Sequence, residues 1–399
     1  MENSQHRTPR KELKARCQKL QQHLQKQAID GVLILQNTDL FYFAGTIQQA
    51  ALYIPAAGEP LLMVRKDLDR ARFESALDHV IGFSSPRQIP EILKQHGFSA
   101  PARLGMELDV VPANLYFTYA RLFEKSKITD ISMQIRMIRA VKSAYEIEKI
   151  RDAAAFSDQV AASVPRFLHE GVPEVELAGQ IEAEARRLGH QGIVRMRMWG
   201  AELFYGHVMA GPAAAVPSYL ASPTGGAGMN PAVAQGASMR RVRRHEPVLV
   251  DLVFATDGYN SDHARIFAIG NLPDDLSAAH NTMCGIQEAV KKAASPGVAA
   301  GDLYDLALDM AAEHGLADYF MGAGGQRIQF VGHGIGLELD EFPFLAKGQK
   351  MPLEAGMIIA LEPKVIFPDK GVVGIENTHV VTENGLEQLG AFREDIIRV

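Results

Sequence analysis

The sequence predicts an α/β (α+β) protein of two domains, and three observations carry that expectation. Short apolar runs alternate with helical patterns through about the first 130 residues, the signature of layered strands and helices. Around Ile138–Arg151 the character changes, as Lys142-Ser-Ala-Tyr-Glu-Ile-Glu-Lys-Ile-Arg151 opens a long helical pattern. Beyond Arg327 the chain becomes strand-rich, with apolar runs separated by glycines. A length of 399 residues agrees with two domains. The boundary is placed to give domains of residues 1–135 and 136–399.

In order along the chain, Leu13, Cys17, Leu20 and Leu24 recur at helical spacing in a polar stretch and predict an amphipathic surface helix. Gly31–Leu35 and Pro60–Val64 are apolar runs of strand length, and Arg103–Leu108 is a third strand. Helical patterns lie at Asp67–Asp78, Arg87–His96 and Pro112–Phe123. In the second domain the helix that starts at Lys142 runs to about Leu168. Another follows Gly171-Val-Pro173, with Pro173 suited to a first turn, and ends near Leu188. Two more fit Pro273–Ala294 and Asp302–His314, the latter with Asp302 as N-cap. Leu203–Met239 holds no Asp, Glu, Lys or Arg and is crowded with Gly and Pro, so it reads as packed loops or as the lining of a site. The basic run Arg240–Arg244 reads as a solvated strand edge.

Composition excludes several classes of function. Hydrophobic residues make up 47% and charged residues 22%, enough to bury a large core. The net charge of −6 gives no general electrostatic basis for binding nucleic acid or an anionic membrane. Two distant cysteines, Cys17 and Cys284, make no disulfide framework, so a reducing cytoplasm is the expected compartment. Met1–Gln27 is polar and basic without the apolar core of a secretory signal, and no run of ~18 apolar residues predicts a spanning helix.

The chemistry concentrates in four acidic residues and one histidine set in apolar or Gly-rich surroundings. Asp251 lies inside Pro247-Val-Leu-Val-Asp-Leu-Val-Phe254, where a carboxylate is costly to bury unless paired or bound to metal. If Asp257-Gly258 forms a two-residue hairpin turn, Thr256 pairs with Tyr259 and Asp251 with Ala264. Asp262 then becomes the same-face diagonal neighbour of Asp251, ~7–8 Å away at the backbone, whereas a one-residue slip would separate them. Glu362 ends the strand in Gly356-Met-Ile-Ile-Ala-Leu-Glu-Pro363, and Glu376 lies on a returning strand, Val372–Val381. A loop centred on Asp369 sets the two glutamates opposite each other. Glycines on both sides of His333, in Val331-Gly-His-Gly-Ile-Gly-Leu337, permit close backbone approach. Four carboxylates and one imidazole suit a pair of hard divalent ions, Mn²⁺ or Co²⁺ rather than a thiolate-type zinc site. Such a pair can activate a bridging water and polarise a carbonyl.

Asp251-(x10)-Asp262, Gly332-His-Gly-Ile-Gly-Leu337, Leu361-Glu-Pro363 and Ile375-Glu376 together resemble the metal site of the pita-bread metallopeptidases, which include Xaa-Pro aminopeptidases and prolidases. Asp251, Asp262, His333, Glu362 and Glu376 match that family's five metal ligands in order and in type. The first ~135 residues are similar to the creatinase-type N-terminal domain of its Xaa-Pro branch. The resemblance implies helix pairs over a curved antiparallel sheet and two divalent ions, with Mn²⁺ favoured and Co²⁺ or Zn²⁺ as alternatives. It further implies hydrolysis of short peptides at Xaa-Pro bonds, Glu362 as the acceptor of the proton from the attacking water, and a homodimer.

The departures from that family are equally specific. Ser218 and Asp340 stand where Xaa-Pro members carry histidines that donate hydrogen bonds to the substrate, and Gly374 stands where arginine is frequent. His207, eleven residues before Ser218, is a candidate replacement donor or an ordinary loop histidine. Asp340 is a candidate base, a site for a substrate amine, or a rim residue. His263 follows Asp262 and should face the other side of its strand. Trp199 is expected in the core or the cavity wall. These departures keep an alternative open: the same fold acting on a small non-peptide substrate, as an amide hydrolase of the creatine or ectoine type or as a lyase. A binding module without enzymatic activity is a third reading, and the intact ligand set argues against it.

Overall fold

The computed structural model describes residues 6–202 and 205–399. Leu203 and Phe204, which open the uncharged stretch, and the first five residues of the basic N-terminus lie outside the described residues. The chain divides into two compact units, Met1–Arg139 and Ala140–Val399.

In the first unit, six strands form a mixed sheet: β1 (Gly31–Ile34), β2 (Ala50–Pro55), β3 (Leu61–Val64), β4 (His79–Gly82), β5 (Arg103–Met106) and β6 (Lys127–Asp130), ordered β4-β3-β2-β1-β5-β6. The helices are α1 (Arg10–Lys26), α2 (Asn37–Ala44), α3 (Leu68–Glu74), α4 (Ile89–Gln95), α5 (Ala113–Leu122) and α6 (Ser132–Ala140). Leu13, Cys17, Leu20 and Leu24 form the buried stripe of α1, as their spacing predicts. The pattern at Asp67–Asp78 yields only two turns of helix, because the chain becomes β4 at His79.

The second unit opens with α7 (Ala144–Ser163), which starts at a capping box. The Ser143 hydroxyl accepts from the Glu146 amide, and the Glu146 carboxylate accepts from the Ser143 amide. Its continuation to Leu168 is a 3₁₀ turn at Val164–Arg166, because Pro165 cannot extend an α-helix. α8 (Glu174–Arg187) packs against α7, and Pro173 is its N-cap rather than a first-turn residue. α9 (Asp274–Ala293) and α10 (Ala300–Glu313) form the second pair. Asp302 lies in the first turn of α10, and Ala299 takes the N-cap position expected of it. An acidic side chain one turn in still favours the positive end of the helix.

These helix pairs cover antiparallel sheet. β7 (Gly206–Ala210), β8 (Val248–Thr256) and β9 (Tyr259–Ala268) form one sheet with β17 (Ile397–Arg398), in the order β17-β9-β8-β7, with only β17 parallel to its neighbour. The other comprises β10 (Phe330–Gly334), β11 (Glu341–Ala346), β12 (Ile358–Leu361), β15 (Asn377–Thr382) and β16 (Gly385–Gln388), ordered β11-β10-β12-β15-β16. Between β12 and β15 the chain forms the hairpin β13 (Lys364–Phe367) and β14 (Gly371–Gly374). One core cluster joins α7 and α8 to β7–β9, and a larger one joins α9 and α10 to the rest. The basic run at Arg240 lies outside the named strands yet pairs as an extended edge: Arg241 bridges Pro173 antiparallel, Arg240 pairs with Glu246, and the Arg241 guanidinium donates to the Gly171 carbonyl. No helix among the described residues is long and apolar enough to cross a membrane.

His379, fully buried on β15, gives the fold a measurable pH dependence. Burial drives its pKa from 6.5 down to about 3, so the folded state keeps it neutral while the unfolded chain takes up a proton. Its stabilising contribution is complete above pH 6.5 and is lost as pH falls from there towards 3, at ~1.4 kcal/mol per pH unit. Urea unfolding at pH 7 and pH 5 should therefore show a larger acid loss for the wild type than for His379→Leu. Equal losses would refute that origin.

Candidate metal centre

The two-residue turn at Asp257-Gly258 forms as expected. Thr256 pairs with Tyr259, Asp251 with Ala264 and Val253 with Asp262, so Asp251 and Asp262 are diagonal neighbours on one face. Asp257 sits at φ 51° and Gly258 at φ 88°, the left-handed pair that a tight hairpin turn requires. Asp262 is locked by Thr378, whose hydroxyl accepts from the Asp262 amide and donates to its carbonyl, each at 2.9 Å.

Glu362 and Glu376 lie where one register crosses between two sheets. Leu361 pairs with Asn377 on one side and Lys364 with Gly374 on the other, so the glutamates face each other between these pairs. The strand expected at Val372–Val381 is broken there. Glu376 leaves the hairpin and bridges Ala264 of β9, with amide–carbonyl distances of 3.2 and 3.3 Å, while the Glu362 amide donates to the Val331 carbonyl on β10. That change of partner brings the glutamates to Asp262. It is held by Arg265, 1% exposed, whose guanidinium donates to the carbonyls of Ala264, Glu376, Phe392 and Arg393 and to Asn377 Oδ1.

His333 stands on β10 opposite Ala360. A Cβ at Gly332 would lie 2.6 Å from the Ala360 carbonyl, and one at Gly334 2.2 Å from that of Phe342, so only glycine permits this close approach on either side. The His333 Nδ1 lies 3.0 Å from the Gly334 carbonyl and 3.1 Å from that of Leu339. Two acceptors there require Nδ1 to carry the proton, which leaves the Nε2 lone pair facing Asp262 Oδ2 at 3.9 Å and Glu362 Oε1 at 4.0 Å. A metal-ligating histidine is held in this way. One ligand atom from each of Asp262, His333 and Glu376 lies within 4.8 Å of the other two, and all three residues are buried. This donor set fits a divalent ion. Burial raises the pKa of Asp262 well above its ordinary value, and the charges of Glu376 and Asp251 raise it further. Burial likewise lifts Glu376, to about 8, against the pull of Lys364. Carboxyls so reluctant to ionise alone mark a place built for positive charge.

Lys364 went unnoticed in the sequence, although a lysine two residues after Glu362 in a strand must share its face. Its ammonium lies 2.9 Å from Asp251 Oδ2, 2.9 Å from Glu362 Oε2 and 2.6 Å from Glu376 Oε2, with the side chain 1% exposed. Burial alone would lower its pKa, but Asp251, Glu362 and Glu376 raise it well above the usual value. The cation absent from position 374 is thus supplied by the residue directly opposite. Gly374 makes room for it, since a Cβ there would lie 2.7 Å from Lys364 Cα.

The remaining candidates divide. His207 is buried on β7, opposite Asp251, and lines the same cavity of about 70 Å³, with Nδ1 3.2 Å from Thr224 Oγ1. Burial lowers its pKa despite the nearby Asp251. Asp340 also lines the cavity, with Oδ1 3.5 Å from His333 Nδ1. Ser218 is half-buried, accepts from the Leu220 amide and does not line the cavity; Leu220–Pro223 from the same loop do. His263 faces away from the site, against Phe392. Trp199 corrects its expectation: it is 99% exposed, because the chain turns Met196 and Met198 to the cavity and the indole outward.

Comparison with known proteins identifies the family. The pattern of Metallopeptidase family M24 matches residues 148–383, and that of the Creatinase/Prolidase N-terminal domain matches residues 16–141. An Xaa-Pro dipeptidase of Pyrococcus furiosus is 28% identical over 391 residues, covering 96% of this chain and 100% of the relative. Among solved structures, the prolidase from Pyrococcus horikoshii OT3 superimposes with a TM-score of 0.80 at 24% identity, covering 96% of this chain and 100% of that one. The prolidase from Pyrococcus furiosus gives 0.76 at 26%, covering 94% and 99%. With its catalytic-domain pattern matched over more than half its length, and a matching N-terminal domain before it, the chain belongs to metallopeptidase family M24.

Proposed function

We propose that the chain is a metal-dependent Xaa-Pro dipeptidase acting on short peptides. The observation that carries this reading is the convergence of Asp262, His333 and Glu376, with Asp251 and Glu362 beside them, on one buried cavity in a chain similar to Xaa-Pro dipeptidases along almost its whole length. Asp262, His333 and Glu376 would hold a divalent metal, which would supply an activated water and polarise the scissile carbonyl. Glu362 is suited to accept the water's proton, because Lys364 occupies Oε2 and leaves Oε1 on the side of His333. Asp340, on the cavity wall, offers a carboxylate to the substrate ammonium. Buried and neutral His207 is the candidate donor to the substrate carbonyl, in place of the histidine absent at Ser218.

The oxygen-rich donor set favours Mn²⁺, with Co²⁺ next and Zn²⁺ least suited. Two free thiols, Cys17 and Cys284, agree with a reducing cytoplasm, and the family resemblance supports a homodimer. The count of two ions implied by that resemblance meets an obstacle in Lys364.

Metal-reconstituted protein should hydrolyse Xaa-Pro dipeptides and leave casein uncut. Quantified products from a panel of Xaa-Pro dipeptides, casein and small amides of the creatine and ectoine type test this reading. Turnover confined to the small amides, or internal cleavage of casein, would refute it.

A further inference from the structure

The five predicted ligands fall into two groups that share Glu376, and one of the groups surrounds a buried ammonium. Asp262, His333 and Glu376 form a three-residue cluster with an open centre, the only such set of three or more His, Cys, Asp or Glu among the described residues. Asp251, Glu362 and the Oε2 atom of Glu376 instead surround the Lys364 ammonium at 2.6–2.9 Å. Three N–H groups meet three carboxylate oxygens, so no donor of Lys364 is left over. The side chain cannot simply withdraw. It is fully buried, and it starts from β13 directly opposite Gly374, whose missing Cβ is what leaves space for Lys364 Cα and Cγ. A divalent ion among the same three oxygens would lie in contact with the ammonium.

We propose that Lys364 is a built-in cation that takes one of the two metal positions of this site, so that the chain binds a single divalent ion, at Asp262, His333 and Glu376. This rests on the metal-dependent reading above. It assigns Asp251 a changed role, as an anchor for Lys364 rather than a metal ligand. Glu376 becomes the shared member, bonding Lys364 through Oε2 and the ion through its other oxygen. Lys364 is here a positioning residue. It orients Glu362 by holding Oε2 and leaves Oε1 for proton transfer.

Manganese alone is the probe. Apo protein loaded with Mn²⁺ and freed of excess by gel filtration should retain about one ion per chain by elemental analysis, with the electron paramagnetic resonance spectrum of isolated Mn²⁺. Lys364→Gly, which removes the cation and opens its space, should retain about two, with the spectrum of an exchange-coupled pair. Wild type holding two coupled ions overturns the proposal and leaves the dipeptidase reading intact. Wild type holding none overturns both. A Lys364→Gly protein that melts cooperatively yet gains no second ion also overturns it. Should that variant fail to fold, the count and spectrum of the wild type decide alone.

Discussion

Turnover of an Xaa-Pro dipeptide should fall by about 10²–10⁴-fold in Glu362→Gln, the range in which a positioned general base contributes. Glutamine keeps the shape and can still accept from Lys364, but it cannot take a proton from water. The loss should therefore appear in kcat, with KM little changed and bound metal retained. Steady-state kinetics beside elemental analysis separates the cases. A drop below tenfold would show that Glu362 is not the base, and a drop that tracks lost metal would show that it acts as a ligand instead.

Arg265→Met should destabilise the second unit by ~3 kcal/mol or more. Five acceptors, three of them in fully buried bonds, lose the guanidinium together, and a hydrogen bond to a charged group contributes ~1.5–3 kcal/mol. Burial pulls the Arg265 pKa down only to about 10, so the guanidinium is charged at neutral pH and the lost bonds are charge-assisted ones. At ~2–4 °C per kcal/mol the melting temperature should fall by roughly 6–12 °C. Because Arg265 also fixes the Glu376 backbone, metal affinity should weaken in whatever fraction stays folded. A melting curve superimposable on the wild type would contradict this account.

Much of the centre was legible because hairpins obey counting rules. Asp257-Gly258 dictates a two-residue turn, and the turn alone brings Asp251 and Asp262 together. A loop centred on Asp369 likewise predicts that Glu362 faces Glu376, and the register bears this out on both sides of the pair. The break at Ile375-Glu376 was not legible. It depends on β9 offering Ala264 to the Glu376 backbone, a contact 112 positions away in the chain. Lys364 was legible and missed. A lysine in Lys364-Val-Ile-Phe367, two residues beyond Glu362, falls opposite Gly374, so the cation missing at 374 has its replacement across the hairpin. Trp199 and Ser218 defeated the sequence for another reason. Neither belongs to a periodic element, so the direction of each side chain is fixed by loop packing that no spacing rule encodes.

The counting rules also bear on how such a centre can change over generations. Both carboxylate pairs are set by the number of residues between their members, and each span closes through a tight turn or short hairpin. Point substitutions along β8 and β9 leave that arithmetic untouched, whereas one inserted residue between Asp251 and Asp262 would turn one carboxylate to the far face of the sheet. Length variation should therefore accumulate elsewhere, above all in the uncharged loops that line the cavity. There, growth or trimming can alter which peptides enter without disturbing the residues of the candidate metal centre.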